Sequence, residues 1–154
     1  MKLILMRHAK SDWHDPLQDD HDRPLNRRGR ESAPKIGRWL RDMGHTPDLI
    51  LCSTAKRTRE TRALLGFDDT PTVDLDALYL ADANMILAQA TGAGAQTVMV
   101  VGHNPGMAEA ASLAVATPPV HPDFHRYPTA ACTVIDAPGP LPGRALAFLV
   151  PRDL

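Results

Sequence analysis

The sequence predicts an α/β fold, a three-layer α/β/α sandwich with a mostly parallel central sheet and an antiparallel hairpin on one edge. Three observations carry that expectation. Apolar runs of strand length alternate with stretches of helical periodicity, as strand-helix-strand units require. The last two strand candidates follow one another with no helix between them, separated by Pro138-Gly139-Pro140-Leu141-Pro142-Gly143, a turn-rich connection suited to a hairpin. The 154 residues suit one domain, 1–154, long enough to bury a core without staples.

The first strand, Lys2 to Met6, is a short apolar run closed by the polar pair Arg7-His8. A helix is expected over 27 to 43, where Ala33, Ile36, Leu40 and Met43 recur at spacings of three and four and form one apolar stripe. Asn26 is its expected cap and Gly44 its stop. Pro34 removes a backbone donor and costs about 3 kcal/mol inside a helix, so either a bend or a separate turn over 27 to 32 is expected. Strand Asp48 to Cys52 then leads through Ser53 or Thr54, both capping residues, into a helix over 55 to 65. Further strands are expected over Thr72 to Leu75, Thr97 to Val101, Ala131 to Asp136 and Ala145 to Val150, with helices over 83 to 90 and 105 to 116. Cys52 and Cys132 fall within strands and read as small core hydrophobes.

Net charge is −1, yet 13 of the 17 cations are arginines, a bias suited to bidentate recognition of phosphate or carboxylate. The near balance of charge points away from nucleic acid and from an anionic membrane surface. No stretch approaches the ~20 apolar residues of a membrane span, and the first apolar run is too short for a signal peptide. A cytoplasmic monomer is therefore expected. The loop Ser11 to Asp22 carries five aspartates together with His14 and His21, but the spacing matches no recognised metal-ligand pattern. It reads as a solvated loop able to fold over the end of the first strand. The proline-rich loop Thr117 to Thr129, with His121 and His125, reads as a crossing over the sheet edge that carries surface histidines.

In an open α/β sheet, ligands bind at the carboxyl ends of the strands, and three pieces of the chain converge there. Arg7-His8 ends the first strand. After the second strand, Arg57 lies in the first turn of a helix, where free amides and the helix dipole favour an anion. After the fourth, Gly102-His103-Asn104-Pro105-Gly106 lifts a second histidine above the sheet. Two histidines and two arginines around one anion suggest phosphoryl transfer through a covalent phosphohistidine. Neutral imidazole is a competent nucleophile, and guanidinium groups neutralise the equatorial oxygens of a loose transition state.

These segments resemble the motifs of the histidine phosphatase superfamily, and in particular its short SixA-like phosphohistidine phosphatases. Leu5-Met6-Arg7-His8-Ala9 resembles the signature strand, and Arg23-Pro24-Leu25-Asn26 with Gly29 resembles the motif next in order. Ser53, Arg57 and Thr61 match the helix motif, Val100 to Pro105 the second histidine motif, and Pro128 to Ala131 the entry to a late strand. Thr54, Thr58 and Glu60 depart from the usual residues without removing any of the pocket. The resemblance implies a phosphoglycerate-mutase-like fold with His8 as nucleophile, a phosphate pocket of Arg7, Arg57 and His103, and Arg23 on the rim. It implies no metal and no cofactor.

The substrate class is read from an acid that is missing. An alkoxide leaving group needs a proton donor. One branch of the superfamily supplies a glutamate for this, and another supplies an aspartate directly after the second histidine, where this chain has Asn104. The three glutamates, Glu31, Glu60 and Glu109, all fall on expected helices, and none lies in the Leu78 to Asn84 stretch. A departing imidazole has less need of an acid. The expected substrate is therefore phosphohistidine on a protein, such as a phosphorelay or phosphotransfer domain. Asp20 and Asp82 are candidate proton shuttles. A phosphatase for small phosphomonoesters or anhydrides and a phospholigand-binding module without turnover are the competing readings.

Overall fold

The computed structural model describes residues 1–154. Six strands form one sheet: β1 (Lys2–Arg7), β2 (Leu49–Ser53), β3 (Thr72–Leu75), β4 (Thr97–Gly102), β5 (Cys132–Asp136) and β6 (Arg144–Leu149), in the order β3-β2-β4-β1-β5-β6. The first four strands of that order pair in parallel, and β5 runs antiparallel to both β1 and β6. Four helices cover the sheet: α1 (Arg27–Asp42), α2 (Lys56–Leu65), α3 (Ala83–Thr91) and α4 (Gly106–Ala114).

The three layers follow from the period-two alternation of strand side chains. Leu3 and Leu5 of β1, with Val98 and Val100 of β4, join one buried cluster with Ile86 of α3 and Met107 of α4. Ile4, Met6, Met99 and Val101 point the other way and join Ile36 and Leu40 of α1 and Leu65 of α2. The central strands are thus apolar on both faces, as a sheet covered on both sides demands.

Asn26 caps α1 by accepting a hydrogen bond from Gly29 N at 2.9 Å. Pro34 lies inside that helix without interrupting it. The carbonyl it deprives belongs to Arg30, which is exposed, so water can take the place of the lost donor. Two details of α1 differ from expectation. Met43 is exposed and lies past the helix end, whereas Gly37 is buried against α2, where a Cβ would meet Leu65 O at 1.9 Å. This close backbone approach of α1 to α2 cannot be read from apolar spacing. The cap of α2 also differs. Ala55 occupies that position without a side-chain bond, and Ser53 Oγ instead accepts from Ala55 N at 3.3 Å. No helix is long and apolar enough to cross a membrane.

Candidate active site

Parallel pairing sets the ends of β1, β2 and β4 side by side. Arg7 is opposite Gly102 and Cys52 is opposite Val101, so the residues immediately after these positions share one edge. His8 and His103 face each other with ring centroids 5.4 Å apart. The backbone around His8 is held from three sides. His8 N donates to Gly102 O and Ala130 N donates to His8 O, while Ala9 N donates to Thr61 Oγ1 at 3.0 Å. Thr61 in turn donates to Arg57 O at 2.7 Å, so one hydroxyl ties the end of β1 to the helix that carries Arg57.

His8 Nδ1 lies 2.6 Å from Ala9 O. A carbonyl only accepts, so the hydrogen-bond network assigns the proton to Nδ1 and leaves the Nε2 lone pair free. Burial pushes the ring pKa down to about 3 against the opposing Ala9 hydrogen bond, and the charges of Arg7, Arg57 and Arg23 push the same way. His8 is neutral at physiological pH, the state a nucleophile requires.

His103 Nε2 lies 2.8 Å from Ser53 Oγ. Ser53 Oγ accepts from Ala55 N and has no other acceptor for its own proton, so the hydrogen-bond network assigns that proton to Nε2 and the His103 ring proton to Nδ1. Nδ1 is buried and has no protein partner. Burial, then His8 and Arg57, push the His103 pKa to about 3, with Asp20 opposing. The Nε groups of Arg7 and Arg57 are likewise buried without partners. Three unpaired donors among neighbouring residues, each costing about 1–3 kcal/mol when left unsatisfied, make an environment that favours an anion with several acceptor oxygens.

Arg57 is buried in the first turn of α2, and Arg7 Nη1 is steadied by Tyr127 O at 3.2 Å. Arg23 is also buried. It donates to Ser11 Oγ at 3.2 Å, and its guanidinium carbon lies 3.6 Å from the centre of the exposed Trp13 ring. Arg7, His8, Ser11, Trp13, Arg23 and Thr129 contribute to the wall of a cavity of about 560 Å³.

The two candidate shuttles part company. Asp20 stands at the pocket, in a 3-10 turn formed by Asp20–Asp22. Its Oδ1 is 2.6 Å from Arg23 Nη1 and its Oδ2 is 3.0 Å from Arg57 Nη2, and Tyr79 Oη donates to Oδ2 as well. Burial opposes its ionisation, but the hydrogen bonds from Tyr79, Arg23 and Arg57 outweigh it and hold the carboxyl well below its ordinary range. Asp82 is the N-cap of α3 and accepts from Met85 N at 2.9 Å, so its carboxylate is engaged in holding a helix end and not in the pocket. Of the glutamates, Glu31 pairs with Arg27 and Glu60 accepts from Leu25 N. Asn104 binds the carbonyls of Arg126 and Tyr127 through Nδ2 and Ala108 N through Oδ1, a tie between loop and helix.

Tyr79 is a site residue that the sequence motifs do not single out. Its ring meets His103 edge-on at 5.6 Å and His21 at 4.8 Å. It lies within Leu78 to Asn84, the stretch that lacks a glutamate, and a phenol is not the kind of acid expected there. His21 fastens the acidic loop by a 3.0 Å contact with Thr54 Oγ1, and Ser53 orients His103. Arg62 is partly buried and lies 3.6 Å from Asp74.

The profile of the histidine phosphatase superfamily (branch 1) matches residues 3–78. A SixA protein of Nakamurella multipartitia, named for phosphohistidine phosphatase activity, superposes with a TM-score of 0.84 at 31% identity, covering 97% of this chain and 95% of that one. This chain belongs to the histidine phosphatase superfamily. A similarly named SixA protein of Agrobacterium tumefaciens gives a TM-score of 0.82 at 32% identity over 97% of both chains. An uncharacterized chloroplastic protein of Arabidopsis thaliana is 36% identical over 126 residues, 73% of this chain and 58% of its own length. The match thus spans under two thirds of that relative. The chain has the phosphoglycerate-mutase-like fold of the SixA proteins, with a mixed six-stranded sheet.

Proposed function

We propose that this phosphatase hydrolyses phosphohistidine on a protein through a covalent intermediate on His8. The observation that carries the reading is the pairing of a free, neutral His8 Nε2 with a pocket whose one adjoining carboxylate, Asp20, is held ionised by Arg57, Arg23 and Tyr79. The nucleophile is ready and a protonated carboxyl is not at hand. Such a site suits a leaving group that departs without a new proton.

In the first step His8 Nε2 forms a bond to phosphorus while the P–N bond of the substrate breaks, its electron pair passing to the departing ring nitrogen. When the distal nitrogen of that ring carries a proton, the leaving group is neutral imidazole and the transfer is balanced. Arg7, Arg57 and His103 Nδ1–H bind the equatorial oxygens, where transition-state charge is spread. Arg23 holds the rim, and Asp20 yields its contact with Arg57 to the entering phosphoryl group. The Ala9 carbonyl keeps His8 Nδ1 protonated throughout. In the second step water attacks phosphorus, the bond to His8 breaks, and neutral His8 is regenerated. Both protons of the water leave on dihydrogen phosphate.

The test is kcat/KM on a phosphohistidine protein, free phosphohistidine and a panel of phosphomonoesters, each with and without EDTA. The phosphohistidine protein is expected to be the best substrate, with activity undiminished by the chelator. Efficient turnover of alkyl phosphomonoesters would overturn the assignment of substrate class and favour a small-molecule phosphatase.

A further inference from the structure

The catalytic cavity opens into a second groove of about 190 Å³, and Lys10, Arg126, Pro128 and Thr129 line both. The groove adds Arg28 and Arg152, so four cations face Asp123 as the lining carboxylate. Asp123 is buried and pairs with Arg152 and, at 3.8 Å, with Arg126. Lys10, Arg28, Arg126 and Arg152 are all exposed. In a chain of net charge −1, this is a local concentration of positive charge beside the pocket.

Arg28 supplies a second, independent observation. It lies in the first turn of α1, which contains no acidic residue, although the positive end of a helix dipole disfavours cations by a few tenths of a kcal/mol or more each. Its neighbours have local partners: Arg27 pairs with Glu31, and Arg30 donates to Leu25 O. Arg28 has neither. Gly29 permits the arrangement, since a Cβ there would meet Lys10 O at 2.2 Å, and the resulting close approach sets Arg28 and Lys10 on one groove. A cation kept where the helix disfavours it, without a partner of its own, is placed for an external anion.

We infer that this groove is a docking site for an acidic segment of the protein substrate, whose carboxylates flank the phosphorylated residue held in the pocket. The inference rests on the phosphatase reading and names what that site selects. A groove whose walls carry four exposed, flexible cations suits several exposed carboxylates better than one enclosed small anion.

The test measures binding apart from turnover. A fluorescent Asp/Glu-rich peptide and its Asn/Gln isostere are titrated into the full chain at low and high salt, and into Arg28→Glu. The acidic peptide is expected to bind about tenfold tighter than the isostere, to weaken with salt, and to lose about fivefold or more in Arg28→Glu. Turnover of free phosphohistidine by Arg28→Glu should match that of the native chain. Equal binding of the two peptides, or unchanged affinity in Arg28→Glu, would overturn the inference. So would a bisphosphorylated sugar that binds more tightly than the acidic peptide, because it would assign the groove to a small anion. If the acidic peptide binds as expected while no substrate places phosphate on His8, the groove stands and the phosphatase reading fails.

Discussion

Asp20 stands at the catalytic pocket and Asp123 in the groove beside it, each between two arginines, and they serve opposite ends. Asp123 is buried, with a side-chain exposure of 8%, under the exposed guanidinium groups of Arg126 and Arg152. Asp20 is exposed to 43%, on a short 3-10 turn, and its arginines, Arg23 and Arg57, are the buried members of the pair. Around Asp123 the carboxylate is the fixed strut and the cations are free to meet a partner. Around Asp20 the cations are fixed and the carboxylate can be exchanged. An aspartate-arginine pair is thus structural or functional according to which partner the fold has buried.

The largest effect should come from removing the fixed cation beside Asp20. Arg57→Ala is expected to lower kcat/KM by about 10²–10³-fold, the loss typical of one preorganised donor to a developing oxyanion. A loss below tenfold would show that Arg57 serves mainly to hold Asp20.

Next, Asp123→Ala should cost about 1–3 kcal/mol in urea unfolding while leaving turnover of free phosphohistidine near native. Asp20→Ala strips the buried guanidinium groups of Arg23 and Arg57 of their carboxylate, so it should also lower stability when no phosphate is bound, and it should tighten binding of inorganic phosphate by about fivefold as the competing anion is removed. Weaker phosphate binding in Asp20→Ala would contradict the exchange of carboxylate for phosphoryl oxygens.

A further effect lies in the pH dependence of stability. The unfolded chain takes up protons at its histidines below about 6.5, whereas His8 and His103 in the fold resist protonation until about pH 3. The unfolded state therefore binds more protons within that window. Stability should fall as pH drops from about 6.5 towards 3 and should be insensitive to these groups above it. Urea midpoints measured against pH should show a shallower slope in His8→Ala than in the native chain.

The strands, and the histidines and arginines that gather at the sheet edge, were legible because their signals are local. The run Leu3 to Met6 and the cap at Asn26 need only their immediate neighbours, and the motifs around His8, Arg57 and His103 place each residue at a strand end or in a first helical turn. What escaped depends on contacts between distant segments. The bond from Ser53 to His103 joins residues 50 apart and the bond from Tyr79 to Asp20 joins residues 59 apart, so neither partner betrays the other in sequence. Gly37 is dictated by the backbone of Leu65, and a helix read alone cannot reveal that. Asp20 and Asp82 look alike as candidates, but one is drawn into the pocket by loop closure and the other is fixed at a helix cap.

A phosphoryl group carried on His8 can be trapped as a covalent adduct. After rapid mixing with a phosphorus-32-labelled phosphohistidine protein and a denaturing quench, the label should appear on His8 as an acid-labile, base-stable adduct, and it should be absent from His8→Ala. Turnover with no label on the native chain, or label and turnover retained in His8→Ala, would contradict it.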